Sequence, residues 1–170
     1  MLVNGVPWRP VQLAGNGWAV TIIDQTKLPH AFETVDLTTV EEAAHAIRAM
    51  LVRGAPLIGA TAAYGVALAM RADPSDDSLA TAIETLRKTR PTAVNLFWAL
   101  ERMRAALHNR PVEERAGAAY EAAAELADED AAMNEAIGNH GLEIIRDLAA
   151  KKPGETVNIL THCNAGWLAT

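Results

Sequence analysis

Ala55-Pro56-Leu57-Ile58-Gly59-Ala60-Thr61-Ala62-Ala63-Tyr64-Gly65-Val66-Ala67-Leu68-Ala69-Met70 has almost no polar face. Pro56 stands where a first helical residue belongs, because its missing N–H has no partner there and its φ is already helical. The pattern predicts a helix from Pro56 to about Arg71. At about 16 residues the apolar run is short for a bilayer, and it is rich in Ala and Gly. It is expected to be the central helix of a protein core.

The flanks supply helices to surround it. Upstream, Thr38-Thr39 followed by Glu41-Glu42 offers two overlapping capping boxes. Val40, Ala44, Ile47 and Leu51 then draw one apolar stripe at spacings of four, three and four. Arg53-Gly54 reads as the close of that helix, a cation in the last turn and a glycine beyond. Downstream, Asp73-Pro74-Ser75 starts a helix to about Lys88 with Leu79, Ile83 and Leu86 inward. Arg90-Pro91-Thr92 starts another, to about His108, carrying Leu96, Phe97, Leu100, Met103 and Leu107. Pro111 opens a long Ala/Glu-rich stretch to Ala150, weakened by Gly138 and Gly141, with a break expected near Asp128–Asp130.

The ends differ from this middle. In residues 1–36, Trp18, Val20, Ile22 and Ile23 form a β-leaning run, and Phe32, Thr34 and Val35 form another. They predict a small antiparallel sheet with a loop of five or six residues. After Pro153-Gly154, residues 156–161 are β-branched and run into His162-Cys163-Asn164-Ala165-Gly166, as the first strand of an open α/β unit does. The expected fold is α+β: an N-terminal domain over 1–150 (sheet 1–36, helical bundle 37–150), then residues 155–170 as the start of a Rossmann-like domain that stops almost at once. That strand is expected to lack a partner within the chain.

Composition narrows the function. The chain has 170 residues, 50% apolar and 5% aromatic, with net charge −6. No basic run of four or more occurs, which argues against a broad nucleic-acid footprint. An anionic ligand is still allowed, since a few local donors suffice to hold phosphate. No charged n-region precedes an apolar stretch at the N-terminus, so no signal peptide is expected. The lone cysteine fits a reducing cytoplasm. No histidine or cysteine spacing suits a metal, and no Gly-x-Gly-x-x-Gly or Walker loop occurs.

Three places could carry chemistry. Arg53-Gly54-Ala55-Pro56 joins a helix end to a helix start, which suits a phosphate or else is an ordinary C-terminal cap. Arg90 precedes a helix N-terminus, where a cation is locally unfavourable unless an anion or solvent compensates. Cys163 comes just after a strand end, where open sheets bind ligands, or is a small buried hydrophobe. His162 and Cys163, as neighbours on a strand, would point to opposite faces and are not expected to form a dyad.

Asp24-Gln25-Thr26-Lys27-Leu28-Pro29, Val52-Arg53-Gly54-Ala55-Pro56-Leu57-Ile58-Gly59, Arg90-Pro91-Thr92-Ala93-Val94-Asn95-Leu96 and Leu160-Thr161-His162-Cys163-Asn164-Ala165-Gly166 occur in that order. Together they resemble the signature segments of the methylthioribose-1-phosphate isomerase family of methionine salvage, across residues 18–170. Relatives include ribose-1,5-bisphosphate isomerases and the regulatory subunits of initiation factor 2B. The resemblance implies a sheet-plus-bundle domain followed by a Rossmann-like domain, a cytoplasmic homodimer, and a sugar-phosphate substrate with no metal or organic cofactor. It also implies that Arg53, Gly54, Ala55 and Arg90 bind the substrate phosphate and that Cys163 is catalytic. A related pentose 1-phosphate, 5-deoxyribose 1-phosphate or ribose 1,5-bisphosphate, is an alternative substrate; a non-catalytic regulatory module is the alternative role. Two departures stand out. Trp167 replaces a usual small residue and could crowd the pocket, and the family's catalytic aspartate lies in a C-terminal half not found in these residues. Residues 1–170 alone are therefore expected to be inactive.

Overall fold

A computed structural model describes residues 2–169. The apolar run forms α2 (Ala55–Ala72), with Gly54 as N-cap and every residue from Leu57 to Met70 buried. Its 18 residues are apolar enough to cross a membrane by length and composition, but 78% of them are buried within the protein. Four helices enclose it: α1 (Val40–Arg48), α3 (Asp76–Arg87), α4 (Val94–Leu107) and α5 (Arg115–Lys151). A side chain at Gly59 would place its Cβ 3.1 Å from the Asn95 carbonyl oxygen, so the missing side chain lets the start of α4 approach the start of α2.

Each surrounding helix buries one stripe. In α1 the buried positions are Ala43, Ala44, Ala46 and Ile47. Only the second capping box forms: the Thr39 hydroxyl accepts from the Glu42 N–H, and the Glu42 carboxylate accepts from the Thr38 N–H and hydroxyl. In α3, Ser75 is the N-cap, and its hydroxyl accepts from the Ser78 N–H at 3.2 Å. Leu79, Ile83 and Leu86 face inward as the pattern predicts.

Four expectations need correction. First, Arg53-Gly54 does not close α1. That helix stops at Arg48, and Met50, not a glycine, takes the left-handed conformation beyond it (φ 63°). Second, α5 runs unbroken through Asp128–Asp130. Arg9 pairs with Asp128 at 2.5 Å and Arg102 pairs with Glu129, which offsets the repulsion among the carboxylates. Third, the loop between the second and third sheet strands is ten residues, 24–33, and leaves Phe32 outside the sheet. Fourth, residues 156–161 form no strand; Ile159 and Leu160 are exposed. A β-branched run has no independent stability without a neighbouring ladder to take its N–H and C=O groups.

The N-terminal residues form a two-stranded hairpin, β1 (Leu2–Val3) with β2 (Val6–Pro7), and an antiparallel sheet ordered β3 (Val11–Leu13), β4 (Val20–Ile23), β5 (Thr34–Leu37). Val11, Val20, Ile22 and Leu37 join the same apolar cluster as the helices. Sheet and bundle thus share one core, which sets the ends of β4 and α1 beside the start of α2.

Candidate anion-binding and thiol site

The loop between α1 and α2 is shaped by the end of α1. Leu51 N–H donates to the Ala46 carbonyl at 2.9 Å, and Met50 N–H to the Ile47 carbonyl at 3.3 Å, which turns the chain back sharply. Val52 is buried beneath the loop, and Arg53 is left exposed. Gly54 has φ 102°, ψ 138°, a conformation that only glycine adopts without strain, and its carbonyl accepts the first bond of α2 from Ile58 at 3.0 Å.

The starts of α2 and α4, like that of α5, have no side-chain cap. Neither N-cap, Gly54 or Ala93, offers a side-chain hydrogen bond, and neither first turn holds an acidic residue. By contrast α1 has Thr39 with Glu41 and Glu42, and α3 has Ser75 with Asp76 and Asp77. The N-cap of α4 is Ala93, one residue past Arg90-Pro91-Thr92. The starts of α2 and α4, with their free N–H groups and positive dipole ends, both border one cavity of about 410 Å³.

Met50, Arg53, Gly54, Ala55, Ile58, Arg90, Thr92, Ala93, Cys163 and Asn164 line that cavity. All five residues singled out from sequence, Arg53, Gly54, Ala55, Arg90 and Cys163, therefore line a single opening, although they come from three separate stretches of the chain. Among the described residues neither arginine forms an ion pair. Two guanidinium groups and two helix N-termini with no carboxylate among the lining residues have the chemistry to hold a small dianion. Cys163 is exposed, not buried as a structural thiol would be, and holds φ 63°. After Cys163 the chain forms a three-residue 3-10 turn, Trp167–Ala169. Trp167 is half-buried and is not among the residues lining the cavity.

Some members of the site escaped sequence reasoning. Met50 and Ile58 supply its apolar wall; a methionine in the left-handed region carries no sequence signal. Asn164 belongs to a signature segment but had no role assigned from sequence. Its amide donates to the Arg53 carbonyl at 2.9 Å and so links the two ends of the site.

The chain is 61% identical to methylthioribose-1-phosphate isomerase of Acidiphilium cryptum (strain JF-5) over 171 residues, all of this chain and 46% of that protein. It is also 61% identical to an uncharacterized protein in the petC 3' region of Rhodospirillum rubrum, of which it covers 95%. Among solved structures, 5-methylthioribose 1-phosphate isomerase from Pyrococcus horikoshii OT3 matches with TM-score 0.66 and 38% identity, over 71% of this chain and 36% of that one. Translation initiation factor eIF-2B subunit delta from A. fulgidus matches with TM-score 0.67 and 42% identity, over 74% and 38%. The chain thus spans about half the length of the curated isomerases it matches. Residues 51–170, which hold the whole cavity lining except Met50, match the Initiation factor 2 subunit family, and the chain belongs to that family.

Proposed function

We propose that this chain supplies the phosphate-binding wall and the reactive thiol of an aldose–ketose isomerase that converts 5-methylthioribose 1-phosphate to 5-methylthioribulose 1-phosphate. The observation that carries this is the grouping of Arg53, Arg90, two uncapped helix starts and Cys163 around one cavity. Isomerases of that name are 61% identical to the chain.

The chemistry fits such a wall. In a sugar 1-phosphate the anomeric oxygen is esterified, so the ring cannot open by losing that proton. The bond from C1 to the ring oxygen breaks and the ring oxygen takes up a proton. Hydrogen passes from C2 to C1, and the C2 hydroxyl releases its proton to leave a ketone. Phosphate stays on C1 throughout and gives the protein a fixed handle. Arg53, Arg90 and the amides at Gly54 and Ala55 hold that handle. Charge-assisted hydrogen bonds of this kind contribute about 1.5–3 kcal/mol each. Cys163 lines the same opening, and we assign its thiol to the reacting carbons C1 and C2. A carboxylate from a second, Rossmann-like α/β half, beginning near residue 155, completes the proton transfers. We place the complete enzyme in the cytoplasm as a homodimer.

The test is a chimera in which residues 1–170 precede the corresponding C-terminal half of the Acidiphilium cryptum isomerase. The chimera is expected to turn over the substrate, and residues 1–170 alone are not. Cys163→Ala should lower kcat by about 10²–10⁴-fold, and Arg90→Ala should raise KM about tenfold or more. Full turnover with Cys163→Ala would remove the thiol from the mechanism. The likeness to the eIF-2B delta subunit favours a second role, a non-catalytic regulatory module; it predicts a folded but inactive chimera.

A further inference from the structure

One signature segment, Asp24-Gln25-Thr26, has no part in the isomerisation chemistry, yet it lies directly behind the cavity. It comes immediately after β4. The Asp24 carboxylate accepts from the Thr26 N–H at 2.9 Å and the Thr26 hydroxyl at 2.6 Å, and the Asp24 N–H donates to the Glu33 carbonyl at 2.9 Å. This fixes a tight turn whose middle residue, Gln25, is 7% exposed.

A buried amide is tolerated only when its polar atoms are bonded, and each group of Gln25 reaches a different part of the site. Its backbone N–H donates to the Leu51 carbonyl at 2.9 Å, next to Met50 on the cavity wall. Its Nε2 donates to the Leu168 carbonyl at 2.8 Å. Its Oε1 accepts from Asn164 Nδ2 at 3.4 Å. The second hydrogen on Asn164 Nδ2 is free to make the bond to the Arg53 carbonyl. Beyond these bonds, Ala169 rests on Gly54 so closely that a Cβ there would lie 2.7 Å from the Ala169 Cβ. Residues 164–169 are thereby held on the loop that carries Arg53.

We propose that Gln25 and Asn164 are positioning residues: their linked amides set the distance between the thiol of Cys163 and the anion-binding loop at Arg53–Ala55. The catalytic part of this inference rests on the isomerase proposal; the mechanical part does not. Gln25 touches neither the anion nor the reacting carbons and acts through Asn164 and Leu168.

Cys163 is the sole cysteine, so a nitroxide attached to it reports the motion of that segment alone. Its spectrum is recorded in residues 1–170 as wild type, Gln25→Met and Asn164→Ala. Methionine keeps the length of glutamine and removes both side-chain bonds; Asn164→Ala alters a half-exposed residue outside the core and stands as the second variant should Gln25→Met fold poorly. Both variants should shorten the label's nanosecond correlation time about threefold or more, with a double variant less than additive because both break one linkage. Melting of the helical core should change little in Asn164→Ala. Unchanged mobility in Asn164→Ala, or additive effects, would overturn the proposal. In the chimera, Gln25→Met should lower kcat about 10–100-fold with KM within about threefold, since misplacing a reacting group by about 1 Å can cost 10²-fold. A raised KM with unchanged kcat would overturn the positioning role. If Cys163→Ala leaves turnover intact while the label is still loosened, the latch stands and the isomerase mechanism falls.

Discussion

At the scale of single residues, Gly54 shows how little freedom the site has. Its φ of 102° excludes a side chain without strain, and the space where a Cβ would go is filled by Ala169. Gly54→Ala should cost about 1 kcal/mol or more from backbone conformation alone, read as a lower urea midpoint, and it should also push residues 164–169 off the loop. An unchanged midpoint would mean that Gly54 does not hold its positive φ in solution. Sequence offered two readings of Gly54, a cap closing α1 or part of a phosphate-binding loop, and the structure corrects the first. A glycine after a cationic residue commonly ends a helix. Here the end-of-helix position falls to Met50, which no rule would choose, and Gly54 begins the next helix. Cys163 is similar: its residue type was legible, but its left-handed backbone was not.

At the scale of elements, apolar periodicity carried the α1–α4 boundaries to within a few residues, because each helix buries a stripe against α2. Where contacts distant in sequence decide the outcome, the local pattern failed. The acidic run in α5 suggested a break, yet Arg9 and Arg102 approach it from the strand region and from α4. The cap of α1 provides a measurable case. Hydrogen bonds from the Thr38 backbone and side chain hold the Glu42 carboxyl below its ordinary value of 4.5. A depressed folded value means that the unfolded chain binds the proton more tightly. The stabilisation is then complete above the ordinary carboxylate value and is lost as pH falls through the folded one. Thr39→Ala should cost about 1 kcal/mol at neutral pH. Glu42→Gln should flatten the loss of stability on acidification, as followed by thermal melts between about pH 6 and 3. An acid profile identical to wild type would show that Glu42 gains nothing from Thr38.

At the scale of the molecule, one apolar cluster includes β3, β4, β5 and every helix from α1 to α5. Division into sheet and bundle was legible in the composition of the chain, but their fusion into one core was not, since it depends on which face of the sheet meets α1 and α2. Residues 156–161 mark the opposite limit. Their β preference was legible, yet preference alone forms no strand without a neighbour. With Leu160 99% and Ile159 68% exposed, this segment should associate between copies at high concentration. Ile159→Lys with Leu160→Lys should reduce that association in sedimentation measurements without lowering the melting midpoint; equal association would place the contact elsewhere, on α5.

The enclosure of α2 restricts how this protein can diversify. Residues from Leu57 to Met70 are all buried, and of them only Ile58 lines the cavity, so a substitution beyond Ile58 disturbs packing before it can alter what the cavity accepts. Only the first turn of α2 and the three loops around residues 50–54, 90–93 and 163–164 can change shape independently. Within this chain, a change in what the cavity accepts would therefore have to be written in those positions, with the scaffold behind them left as it is.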